Sequence, residues 1–240
     1  MIPALALGLA GACAGLAIDA IATRLAAPSG AGEVGSTGAV AARSAVLRAT
    51  ALRAGDAPAG PTAKAIGHAL LLASVTAGVF AMAAARYDDP GQLAIVLGYL
   101  TVLLVCAAVD IRTFRVPNVV TYPAIAGALT VAVVSRDASV ALALGGGAVT
   151  GGLLLAPALL TRGAGLGMGD VKLATFAGLA LGIQHVVPML LLMGLSGGAV
   201  AAFLLATGLR GRRDPIPYAP FVSGATIVVL LVHGCAFAAL

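Results

Sequence analysis

The sequence predicts an all-α, polytopic integral membrane protein with about eight transmembrane helices. Of its 240 residues, 60% are hydrophobic and only 10% are charged, and the mean hydropathy is +1.07. Soluble domains carry about 25% charged residues, so a soluble class is excluded. Apolar runs of about 20 residues recur along the chain, and that length spans a bilayer. Basic residues fall in the short loops between these runs, which is a topology signal.

The apolar runs define the predicted helices in order. They are Ile2–Thr23, Ile66–Ala85, Leu93–Val109, Val119–Ser135, Val140–Leu160, Val171–Leu209 and Ala219–Leu240. The run Val171–Leu209 is too long for one span and suits two. We divide it at Gln184 and His185, because this polar turn stands just ahead of the helix breaker Pro188.

The positive charges orient the predicted helices. If the N-terminus lies outside, every lysine and arginine except Arg86 and Arg136 falls in a loop on the cytoplasmic side. Dropping one helix would reverse the side of every later loop and destroy this asymmetry. The first positive charge, Arg24, follows the first apolar run, so we expect an uncleaved first helix rather than a signal peptide. The predicted location is the cytoplasmic (inner) membrane, crossed several times.

Residues 1–240 are predicted to form a single membrane-embedded domain. Residues 26–65 are its one long hydrophilic segment, which the topology makes a cytoplasmic loop. Within it, Ala39–Arg53 could form a short amphipathic helix on the membrane surface, although a flexible loop fits equally well. The net charge of +5 is spread over loops without a basic patch interleaved with aromatics, so the expected partner is the lipid bilayer and not nucleic acid.

No metal site or cofactor is expected from the cysteines and histidines. Cys13, Cys106 and Cys235 all fall inside apolar runs and form no CxxC pair, as expected of packed thiols. The histidines stand at the ends of different predicted helices: His68, His185 and His233.

Two aspartates stand at the ends of predicted helices, where charge is costly. Asp110 ends the third helix and Asp170 begins the sixth, so the topology brings both to the cytoplasmic face. A carboxylate deep in a bilayer costs roughly 2.5–3.5 kcal/mol on insertion scales. Two close carboxylates share one proton, so one can activate water while the other protonates a scissile carbonyl. The pair therefore predicts aspartyl proteolysis at the membrane.

The glycines before Asp170 favour this interpretation. They leave the backbone open for an extended peptide, and they are Gly163, Gly165, Gly167 and Gly169. No GxGxxG or Gly-Lys-Ser/Thr motif occurs there, so phosphate binding is not indicated. Asp170 could instead simply cap its helix. Asp110 could be an interfacial charge paired with Arg112 or Arg115.

These residues carry a resemblance to a known family. Gly167-Met168-Gly169-Asp170 is similar to the GxGD signature of membrane-embedded aspartyl proteases, and the longer string GMGDVKL resembles the type IV prepilin peptidases. Further stretches resemble the same family in order and spacing. They are Asp110-Ile111-Arg112 with Val116-Pro117-Asn118 and Thr121, then Ile216–Phe221 (IPYAPF), and finally Gly11–Leu25, which contains Asp19, Arg24 and Leu25.

The resemblance implies an eight-helix protease with Asp110 and Asp170 as its catalytic pair. Its implied substrates are prepilins or pseudopilins, whose short basic leader precedes a hydrophobic helix and is cut after a Gly on the cytoplasmic side. The residues expected to bind substrate or support the site are Gly167, Gly169, Lys172, Pro117, Asn118 and Asp19. Lys172 could hold Asp170 ionised, bind a substrate carbonyl or anchor the interface. Asn118 could hydrogen-bond near Asp110 or cap the fourth helix.

The sequence departs from the family in two places. Many bacterial members carry a cytoplasmic domain with two CxxC pairs and methylate the new N-terminus with S-adenosylmethionine, whereas residues 26–65 contain no cysteine. We therefore predict cleavage without methyl transfer. Asp19 stands where the family has Asn, so it could be a neutral hydrogen-bonding acid or a third member of the site.

Two other functions stay open at this point. One is a different GxGD-type protease, acting on archaellin-like or unrelated signal sequences. The other is a cation or proton transporter that uses Asp19, Asp110 and Asp170. A transporter predicts acids near the membrane midplane, whereas Asp110 and Asp170 lie toward one face.

Overall fold

The helical architecture is seen in a computed structural model that describes residues 4–26, 63–135, 139–160, 166–209, 211 and 216–235. These residues form eight α-helices and one 3-10 turn, without a strand, so the predicted all-α class is confirmed. The helices are α1 (Ala4–Ala26), α2 (Ala63–Arg86), α3 (Pro90–Thr113), α4 (Asn118–Val134), α5 (Ser139–Leu160), α6 (Met168–Leu181), α7 (Val186–Ala206) and α8 (Ala219–His233). The predicted surface helix Ala39–Arg53 lies outside the described residues.

Several helices are suited to a membrane. Within the described residues, four stretches are long and apolar enough to cross one by length and composition: Ile66–Arg86, Pro90–Thr113, Val140–Leu160 and Ile183–Ala206. Helices α4 and α8 are apolar but shorter. The crossing number of eight and the orientation of the chain stay predictions.

The long apolar run after Asp170 folds as two helices, divided where the sequence indicates. Helix α6 ends at Leu181, residues Ile183–His185 form the 3-10 turn, and α7 follows. Between them Gly182 has a φ of +74°, a conformation that glycine adopts without steric cost. The chain can therefore turn sharply here before it enters α7.

Close backbone contacts hold neighbouring helices together. A Cβ added to Gly15 of α1 would lie 2.5 Å from the Cα of Ala73 in α2, and one on Gly178 of α6 would lie 2.3 Å from the carbonyl oxygen of Gly146 in α5. No side chain fits in such gaps, so these glycines permit the close approach of helices that lipid-embedded bundles favour.

Helix α3 forms the centre of the bundle and positions the site. Val96, Leu100 and Leu103 along it are fully buried. Its Tyr99 ring meets Phe176 of α6 edge to face, with the ring centroids 5.5 Å apart. Just before α3, the Tyr87 hydroxyl donates to the carbonyl oxygen of Leu230 in α8 at 2.7 Å. Helices α6 and α8 are thereby fixed beside α3.

Candidate active site

Asp110 lies in the last turn of α3 and faces the start of α8. Its side chain is only 4% exposed, and its Oδ2 accepts a hydrogen bond from the backbone N–H of Ala219 at 3.0 Å. Ala219 is the first residue of α8, so the carboxylate meets a helix N-terminus, where backbone donors are otherwise unpaired. Helix α3 ends soon after, because Phe114 adopts a left-handed conformation with a φ of 53°.

Asp170 lies in the first turn of α6. Its Oδ2 accepts from the backbone N–H of Gly167 at 3.3 Å, as in a capping box. Its other oxygen, Oδ1, is buried and has no hydrogen-bond partner among the described residues. Capping thus accounts for one oxygen of Asp170 and leaves the second available, and such a buried acceptor is costly unless something else binds it.

One cavity of about 300 Å³ joins the two aspartates. It lies where the end of α3, the loop to α4 and the start of α6 meet. Its lining residues are Asp110, Phe114, Arg115, Val116, Asn118, Gly167, Met168, Gly169, Asp170 and Lys172. Two carboxylates distant in sequence therefore open into the same space.

The glycine before Asp170 allows the loop after α3 to approach α6. A Cβ on Gly169 would lie 2.9 Å from the Cβ of Val116, closer than real side chains come. A Cβ on Gly167 would meet nothing nearer than Asp170 Oδ2 at 3.4 Å, an ordinary contact. Only Gly169 is therefore needed for the close approach that shapes the cavity.

Lys172 links the start of α6 to the start of α4. Its ammonium donates to Asn118 Oδ1 at 2.9 Å and lies 4.5 Å from the centroid of the Tyr122 ring. Pro117 takes the N-cap position of α4 and makes no side-chain cap bond. The Asn118 amide therefore holds Lys172 at the cavity wall.

Asp19 lies on α1 and is not among the residues that line the cavity. Its carboxylate forms an ion pair with Arg112, whose guanidinium also donates to Thr23 Oγ1 at 2.6 Å. Arg112, one of the two partners considered for Asp110, is thus bound to α1. The network ties α1 to the turn of α3 that carries Asp110.

Sequence reasoning missed several groups at the site. It related the segment before α8 to the family without giving Ala219 or Tyr218 a chemical role. Burial, and next the charge of Asp170, raise the pKa of the Tyr218 phenol, so this ring shares the environment of Asp170. Phe114 was not considered, and Arg115, Val116 and Met168 were named without a place in the cavity lining. Their adjacency to the two motifs is the signal that could have placed them there.

The fold and the cavity define a class, a helical membrane protein with a paired-carboxylate site. Comparison with known proteins indicates a family within this class. Residues 97–203 match the model of the type IV leader peptidase family. That stretch contains both Asp110 and Asp170, so the resemblance predicted from their motifs is confirmed.

Relatives support the same family. The chain is 31% identical over 161 residues to the prepilin leader peptidase/N-methyltransferase of Bacillus subtilis (strain 168), covering 65% of this chain and 63% of that protein. It is 29% identical over 171 residues to the protein of the same name in Burkholderia pseudomallei (strain 1026b), covering 69% and 55%. The matched region thus spans less than two thirds of either relative. No solved structure gives a significant match.

Proposed function

We propose that this protein is a membrane aspartic endopeptidase that removes the basic leader of prepilin-like proteins at the cytoplasmic face. The observation that carries this proposal is the shared cavity of Asp110 and Asp170, which reach it from different helices. The family match and the names of the relatives support the prepilin class of substrate.

The proposed reaction uses one proton shared by the two aspartates. The ionised carboxylate takes a proton from water as the water oxygen bonds to the scissile carbonyl carbon, and the neutral carboxyl protonates the carbonyl oxygen. The resulting diol collapses when one hydroxyl returns its proton to a carboxylate. The carbon–nitrogen bond then breaks, and the leaving amine takes a proton from the other carboxyl.

Neighbouring groups provide for substrate binding. Gly167 and Gly169 border the cavity without side chains, so an extended peptide can lie against their backbone. The ammonium of Lys172 has three donors, of which Asn118 accepts one. We assign a second donor to a substrate carbonyl, which would orient the scissile bond toward the aspartates.

The transporter alternative receives less support. It needs Asp19 beside the other two aspartates, whereas Asp19 pairs with Arg112 away from the cavity lining. An aspartate neutralised by an arginine is a poor ligand for a mobile cation. A cavity lined by two aspartates rather than three favours hydrolysis over cation transport.

The proposal is tested by cleavage with the detergent-solubilised protein. The substrate is a prepilin-type protein with a basic leader, a Gly and a hydrophobic run, and the matched control has Val in place of that Gly. We expect cleavage of the Gly substrate alone. With S-adenosylmethionine present, mass spectrometry should show a product without an added methyl group. Inertness toward several leaders would favour the transporter, and a methylated product would contradict cleavage without methyl transfer.

Asp19 is proposed to support the site through Arg112. Asp19→Ala should lower the cleavage rate by about 2–5-fold, the size expected when an exposed ion pair worth about 0.5–1 kcal/mol is lost. Asp19→Asn should be milder, since an amide oxygen still accepts from Arg112.

A double-mutant cycle checks this coupling. Arg112→Ala should cost at least as much as Asp19→Ala, because it also removes the hydrogen bond to Thr23 Oγ1. The double variant should cost little more than Arg112→Ala alone, because the contact with Asp19 is already lost. Additive losses would show that Asp19 acts independently of Arg112.

A further inference from the structure

Two histidines meet at the end of the bundle opposite the aspartates. His185 lies in the turn after α6 and His233 ends α8, and their ring centroids are 5.3 Å apart with the rings tilted by 44°. Helices α6 and α8 both begin at the aspartate site. At 1.5 Å per residue they carry the chain about 20 Å from it, so the histidine pair is a separate feature.

The tautomer of His185 is set by the backbone. Its Nδ1 lies 3.1 Å from the carbonyl oxygen of Leu181. A carbonyl only accepts, so Nδ1 carries the proton and Nε2 is left with its lone pair. Metal-binding histidines commonly donate their second ring N–H to such a carbonyl, which fixes both the tautomer and the ring orientation.

The spacing of the rings fits one metal ion. With Zn–N bonds of about 2.05 Å and a ring nitrogen about 1.15 Å from its centroid, two imidazoles at the tetrahedral angle have centroids about 5.2 Å apart. A right-angled arrangement would bring the centroids to about 4.5 Å. The observed 5.3 Å matches the tetrahedral value for rings that each turn one nitrogen toward a shared ion.

We propose that His185 and His233 bind a zinc ion. His233 is exposed at the surface of the bundle and His185 is half-buried, so the pair opens to the outside of the bundle. Among the described residues no third histidine, cysteine or acid joins them in a metal-binding group, so water completes the coordination. The ion would tie the α6–α7 turn to the end of α8 and stabilise the folded bundle.

Zinc titration tests this proposal. The full chain is purified through a tag free of histidine, stripped with a chelator and titrated with zinc chloride in detergent. We expect one zinc per chain by calorimetry and a thermal unfolding midpoint that rises with zinc concentration. His185→Ala and His233→Ala should each weaken binding at least about ten-fold and remove the rise. His68→Ala, on α2, is the matched control and should keep both.

Other results would overturn the site. They are unchanged binding in both histidine variants, no binding by the wild-type chain at millimolar zinc, or binding that is lost in Cys235→Ser but kept without either histidine. Circular dichroism confirms that each variant is folded. If an alanine variant is unfolded, His185→Gln and His233→Gln replace it and face the same criteria.

Discussion

Asp110→Asn and Asp170→Asn are each expected to lower cleavage of a prepilin-type leader by about 10²–10⁴-fold, the usual contribution of a general acid or base. Asparagine keeps the size of the side chain and an oxygen that can still accept from Ala219 or Gly167. It can neither take a proton from water nor deliver one to the carbonyl. Because the pair works as a unit, the double variant should be hardly worse than either single variant.

Asp89→Asn is the matched control for these two substitutions. Asp89 caps the opposite end of α3, where its Oδ2 accepts from the backbone N–H of Gln92 at 2.7 Å. Asparagine caps helices as well as aspartate does, so activity should be unchanged. If Asp110→Asn or Asp170→Asn kept more than about a tenth of the wild-type rate while folded, the pair would be structural and the protease proposal would fall.

The sequence predicts the helices well because the bilayer imposes strong rules on length and composition. It also predicts the break inside the long apolar run, since Gln184 and His185 interrupt the hydrophobic pattern. It does not predict which helices touch. The Gly11–Gly15 spacing marks a close contact with α2, but a chain with 32 glycines contains such spacings by chance. Only the packed structure distinguishes a contact from a coincidence.

The two acids of the candidate site could be predicted from the sequence, whereas the groups around them could not. The motifs predict Asp110 and Asp170 as the catalytic pair, and the predicted topology places both at one face. Their lateral meeting depends on the packing of α3 against α6, for example through Tyr99 and Phe176, which no local pattern encodes. The backbone N–H of Ala219 could not be recognised as a donor to Asp110 from the sequence, because every residue except proline has a backbone N–H. The meeting of His185 with His233 was not predicted either, because it also depends on the packing of helices distant in sequence.

Gly169→Ala is expected to lower the cleavage rate by about 10²-fold, the cost of misplacing a catalytic group by about 1 Å. The new methyl group would lie 2.9 Å from the Val116 Cβ. Relieving that overlap costs about 1–3 kcal/mol and shifts the first turn of α6, which carries Asp170. Cleavage is measured under single-turnover conditions, with folding checked by circular dichroism.

Gly167→Ala is the matched control, since it adds the same methyl group two residues earlier. The φ of −75° at Gly167 suits alanine and the nearest atom is 3.4 Å away, so Asp170 should keep its position. The single-turnover rate at saturating substrate should therefore change by no more than about twofold, and any weaker packing of the peptide against residue 167 should raise KM instead. Val116→Gly deletes the opposing Cβ and should restore much of the activity of Gly169→Ala. Only steric overlap at this contact predicts that a change in the facing loop restores activity. Equal rates for Gly167→Ala and Gly169→Ala would show that the Gly169–Val116 approach does not set the position of Asp170. Failure of Val116→Gly to restore activity would show the same.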